Sequence, residues 1–165
     1  MTSSFFLAFT AGVCLRVAAG CSLELRPETT DIVVAPNAQR TVRYAAEELR
    51  DFLSAGFGSS VALTTNPAPG RVHVYVGDSD WCRAAGIDVS ALKRDAFEIR
   101  TVPDGVCIAG RDDPKRDPRV VIDRPWCGGW DVLHEHATLF GVYEFLERYA
   151  GVRMYFPGEL GTVVP

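Results

Sequence analysis

His134-Glu135-His136 holds two of the chain's three histidines beside a carboxylate. In a strand, an H-x-H pair would present both imidazoles on one face, as metal sites sometimes require. Here the cluster directly precedes a helical pattern, and the i, i+4 spacing of the zinc motif H-E-x-x-H is absent. It therefore reads as a polar helix start with exposed histidines rather than as a metal centre. Trp126 and Trp130, with Asp131 and His134 nearby, lie in or beside a glycine-rich stretch. Such a pair could stack on the apolar faces of sugar rings, or it could dock on another domain. Carboxylates are plentiful at Asp78, Asp80, Glu98, Asp112, Asp113 and Asp131. Glycosidic hydrolysis needs two of them about 5–10 Å apart across a cleft, and no spacing here selects such a pair. The sequence has no G-x-S-x-G elbow, no phosphate loop and no dinucleotide fingerprint. No catalytic residue, metal or cofactor is read from it.

The five cysteines are Cys14, Cys21, Cys82, Cys107 and Cys127, and none forms a C-x-x-C pair. A disulfide among Cys82, Cys107 and Cys127 and a set of plain buried thiols both remain open. Residues 5–15 form an apolar run too short for a membrane-spanning helix, which takes about 20 residues. The small residues that follow resemble a signal cleavage site, and Ala19-Gly20-Cys21-Ser22 resembles a bacterial lipobox. The expectation is an export signal over residues 1–20, with Cys21 as the lipidation position and the lipid as the chain's one membrane contact. The alternative is a buried first strand or helix, which Arg16 would interrupt.

The elements that must position these groups are read from periodicity. The chain has 165 residues, 47% of them hydrophobic and 23% charged, a globular mixture long enough to build its own core. A catalytic (β/α)₈ barrel needs about 250 residues and does not fit. The net charge of -4 argues against a nucleic-acid partner. Residues 31–35 form an apolar strand pattern. A helix follows, with Asn37 as its expected N-cap and Val42, Ala45, Ala46, Leu49, Phe52 and Leu53 on one face. Gly56 and Gly58 are its expected stop.

Strands are expected at 61–65 and 72–76, then an irregular stretch over 80–93. A hairpin over 96–110 turns at Pro103-Asp104-Gly105. The charged, proline-rich stretch 111–124 reads as a surface loop. A second helix starts near Thr138 and ends at Gly151, and Gly141 inside it implies close packing on a sheet. A last strand is expected over 152–156. This order predicts an α/β fold, a two-layer sandwich with a mixed β-sheet and helices packed mainly on one face.

Residues 137–159, ATLFGVYEFLERYAGVRMYFPGE, carry the most specific pattern in the chain. They resemble the signature GTLYGVYEFLE…GVRWYFPGE of the non-catalytic amino-terminal domain of α-glucuronidase-type bacterial secreted glycoside hydrolases. That domain is similar to the second domain of β-hexosaminidases. Ile32-Val33-Val34, Ala45-Ala46-Glu47-Glu48-Leu49, Val74-Tyr75-Val76-Gly77 and Asp95-Ala96-Phe97-Glu98-Ile99 fall in the family's order. The resemblance covers residues 30–165. Ala137 stands where the signature has Gly, and Met154 where it has Trp.

The resemblance implies an accessory domain at 22–165 that precedes a catalytic barrel, and it carries over no catalytic residue. Two readings follow. In the first, the chain is the accessory domain of an exported carbohydrate-processing enzyme, cut short before its barrel and bracing that barrel as its partner. In the second, it is a free-standing carbohydrate-binding or cell-surface adhesion module. Trp126, Trp130 and His134 are the candidate contacts to sugar or barrel in either case.

Overall fold

The computed structural model describes residues 13–16 by their backbone, and 22–114, 118–119 and 134–165. Five strands make the central sheet: β3 (Thr30–Val34), β4 (Ala62–Thr64), β5 (Val72–Val76), β6 (Phe97–Val102) and β7 (Gly105–Gly110), in the order β4-β3-β5-β7-β6. β4, β3, β5 and β7 run parallel, and β6 closes one edge antiparallel to β7. The inner strands are valine- and isoleucine-rich because both of their faces are covered. Ile32, Val34, Val74, Val76, Val106 and Ile108 point to one side, while Val33, Tyr75, Cys107 and Ala109 point to the other.

Two long helices, α1 (Arg40–Phe57) and α3 (Ala137–Tyr149), lie together on the first face. Val42, Ala45, Ala46, Leu49 and Leu53 of α1 recur at three- and four-residue steps, and all are buried. α3 buries Leu139, Val142, Phe145 and Leu146, and its Tyr143 hydroxyl donates to Glu48 of α1 at 3.1 Å. On the opposite face, the short α2 (Asp80–Ala84) and a 3₁₀ turn at Val89–Ala91 cover a smaller cluster. The expected mixed α/β sandwich is thus observed, with the long helices on one side.

Local differences have local causes. Helix α1 is entered from Gln39 rather than from Asn37, and Gln39 makes no side-chain capping bond; the Arg43 guanidinium instead ties back to the Ala38 carbonyl at 3.1 Å. The helix runs through Gly56 and stops at Gly58, whose φ of 65° a side chain would strain. The stretch expected to be irregular contains α2, begun by Ser79, whose hydroxyl accepts the Cys82 N–H at 3.3 Å. The strand expected over 152–156 is reduced to β8 (Arg153–Met154), paired antiparallel with β9 (Thr162–Val163) and apart from the main sheet. Pro157 and Gly158 break it, and the chain passes through a 3₁₀ turn at Glu159–Gly161.

At the other end, β1 (Val13–Arg16) pairs antiparallel with β2 (Ser22–Leu25). The expected cleavage and lipidation position at Cys21 lies outside the described residues. Among the described residues no helix is long and apolar enough to cross a membrane.

The close approach implied by Gly141 is present. A Cβ at this position would lie 2.9 Å from Ile108 Cγ2 and 3.1 Å from Phe97 Cδ2. Alanine gains about 1 kcal/mol of helix propensity, but overpacking a core costs about 1–3 kcal/mol. Gly141→Ala is therefore expected to be destabilising by about 1 kcal/mol in a urea titration. A higher unfolding midpoint would contradict this packing.

Candidate functional site

The carboxyl ends of β3, β5 and β7 open into a cleft of about 560 Å³. The sheet topology puts it there. From β3 the chain leaves over one face through α1 toward the β4 edge. From β5 it leaves over the other face through α2 toward β7 and β6. Connections that part in this way leave a crevice at the strand ends, the usual ligand position in open α/β sheets. Asp78, Asp80, Trp81, Arg83, Asp112 and Glu135 are among the residues that line it.

Most of its charges are paired. Arg83 bonds Asp78 and, at 2.7 Å, Asp80. Arg111 Nε lies 3.2 Å from Glu135, and its Nη1 donates to the Leu92 carbonyl at 3.1 Å. Asp112 has a structural task. Its Oδ1 accepts the Thr138 N–H at 3.1 Å, so it caps α3 from another element, while α3's own N-cap, His136, makes no side-chain capping bond. Burial pushes the Asp112 carboxyl up to about 6, against the stabilising bonds from Thr138. Thr138 completes the seam, its Oγ1 accepting the Gly110 N–H at 3.0 Å. What remains is a cleft walled by four carboxylates and two guanidiniums, three of the acids paired, with one indole beside them.

A second surface is apolar. Tyr155, Phe156, Leu160 and Val163 are exposed by 72%, 56%, 94% and 50%. They sit on and around the β8–β9 ribbon. The close turn there depends on Gly161, where a Cβ would fall 1.9 Å from the Phe156 carbonyl oxygen.

The residues singled out from sequence do not fall in one place among the described residues. Trp126, Trp130 and Asp131 lie outside the described residues, as does Cys21. His134 is not among the residues lining the cleft; its Nδ1 is 2.7 Å from Asp113 Oδ2, and its side chain is mostly buried. His136 is buried too, edge-on to the Phe140 ring at 6.3 Å. The histidines are therefore not the exposed pair expected, because a two-residue antiparallel bridge draws this segment onto the end of β7. Among the described residues no group of three or more His, Cys, Asp or Glu is placed to hold a metal. The cleft residues are scattered over the sequence from Ala35 to Glu135, with Asp78 and Ser79 just past the end of β5.

No family model matches the chain, and no curated protein matches it. Among solved structures it is similar to a GH138 enzyme targeting pectin rhamnogalacturonan II, at 14% identity and a TM-score of 0.43. It is also similar to a family GH115 4-O-methyl-α-glucuronidase with specificity for decorated arabinogalactans, at 21% identity and a TM-score of 0.45. Each match takes in 72% of this chain and 13% of the other, so the likeness is to one short segment of a much longer glycoside hydrolase chain.

Proposed function

We propose that the chain is a non-catalytic accessory domain of an exported glycoside hydrolase, and that its β8–β9 edge braces the catalytic barrel. The observation that carries this reading is the apolar edge itself. Large apolar side chains left in water mark an interaction site when they gather, and Tyr155, Phe156, Leu160 and Val163 are all exposed within nine residues of this ribbon. The edge follows directly on α3, and together they span the 137–159 pattern that, in the family it resembles, precedes a barrel. Arg153 at its start donates to the Glu147 carbonyl of α3 at 2.6 Å, and Val164 just past its end packs against the main core, so the edge is tied to the domain.

The domain's part is then positional. It contributes a rigid face to the barrel and no group to the reaction. The test begins with the DNA beyond the Pro165 codon, which this reading expects to encode a (β/α)₈ barrel in frame or in the adjacent gene. The barrel supplied with this domain should hydrolyse its glycoside, and the 165-residue chain alone should not. Turnover by the purified chain would sink the proposal. So would binding of a neutral oligosaccharide by a chain with no barrel beside it, which would favour a free-standing binding module.

A further inference from the structure

Cys82 and Cys107 stand apart from the cleft and from the apolar edge. Cys82 sits in the first turn of α2, and Cys107 lies mid-strand in β7 on the face turned away from the long helices. Both are fully buried, in the small cluster that includes Val33, Tyr75, Ile87 and Ala109. α2 packs on β7 at this cluster, and a hydrogen bond couples the two free thiols.

We propose that Cys82 and Cys107 form a modification site, a dithiol that a disulfide co-reactant oxidises to a covalent bond between α2 and β7. Disulfide geometry needs the two Cα atoms about 4.4–6.8 Å apart, and the five-residue α2 is the element that would move to supply it. The Cys107 and Ser79 contacts hold the Cys82 thiol below the ordinary range, while Cys107 is pushed up by its bond to Cys82 and by burial.

Either thiol can start the exchange once solvent takes its proton, and Cys82 serves as the example. It displaces one sulfur of a low-molecular-weight disulfide such as oxidised glutathione, giving a mixed disulfide and one thiolate. That thiolate takes the Cys107 proton, and the Cys107 sulfur attacks Cys82, releasing the second thiolate. Two protein thiols are oxidised and one disulfide is reduced to two thiols. Both sulfurs are sealed in the folded domain, so the exchange takes place during folding or when α2 opens locally. The bond would fix the wall of the cleft, because α2 carries Asp80, Trp81 and Arg83.

The test is to refold the full chain with a mixture of reduced and oxidised glutathione, digest it without reduction and map linked peptides. The expected result is a Cys82–Cys107 peptide in a chain lighter by two hydrogens. Its melting temperature should fall by about 10 °C on reduction, as expected for a crosslink closing a loop of this length. That gap should vanish in Cys82→Ser and in Cys107→Ser, and persist in Cys127→Ser. Should a serine variant fail to fold, the peptide map of the wild-type chain decides alone. Free Cys82 and Cys107, both labelled after unfolding, would overturn the proposal, as would linkage of either one to Cys14, Cys21 or Cys127.

Discussion

Gly105→Ala is expected to cost about 3 kcal/mol or more, and to leave little folded protein if the domain is of ordinary marginal stability. Gly105 opens β7 directly after the two-residue turn Pro103-Asp104, where His73 of β5 is its register partner. A Cβ here would fall 1.8 Å from the His73 carbonyl oxygen and 2.7 Å from its carbonyl carbon. No side-chain rotation relieves a clash with backbone, so β7 must move away from β5. That movement strains several bonds at once. His73 donates its N–H to Asp104 at 2.8 Å, and the Tyr75 hydroxyl donates to the Asp104 carboxylate at 2.7 Å. Circular dichroism and urea titration check this, and a variant within about 0.5 kcal/mol of wild type would contradict the register.

Asp112 governs the largest expected pH effect. Its carboxyl is raised from an ordinary 3.8 to about 6, chiefly by burial. The folded state therefore holds the proton more tightly than the unfolded chain does. Between about pH 4 and 6 the native protein binds more protons, so this group's contribution to stability falls as pH rises. Its stabilising effect is complete below pH 4 and lost above about 6. Two pKa units correspond to about 3 kcal/mol. Asp112→Asn keeps an oxygen for the Thr138 N–H while removing the buried charge. The variant's stability relative to wild type should therefore climb by about 2–3 kcal/mol between pH 4 and 7. Stability curves that run parallel across this window would show that Asp112 is solvated.

Much of the architecture was legible because it rests on short-range pattern. Val72, Val74 and Val76 alternating with His73 and Tyr75 define β5, and the three- and four-residue steps of Val42 through Leu53 define α1. Gly141 announced a close packing partner, which proves to be Ile108 and Phe97. What was not legible depends on distant chain segments meeting. The cap of α3 comes from Asp112, 26 positions upstream of Thr138, so no N-cap signal stands at the helix itself. The cleft is assembled at a topological switch point from strand ends that only the sheet order brings together.

The β8–β9 edge shows the same limit from the other side. Residues 152–156 have the composition of a strand, but Pro157, Gly158 and the turn at Glu159–Gly161 fold the chain back on itself. Apolar side chains that a sheet would have buried are left facing water. His134, an exposed histidine by its place in the sequence, is mostly buried, with Nδ1 2.7 Å from Asp113 Oδ2.

The accessory-domain account is tested most directly by titrating the chain against the barrel encoded beside it, comparing wild type with a Tyr155→Glu, Leu160→Glu double variant. Both side chains are exposed, so the variant should keep the wild-type unfolding midpoint. Burying a charge in an apolar interface should weaken binding by about 100-fold or more. An unchanged dissociation constant, or no association of the wild-type chain with the barrel, would contradict the account.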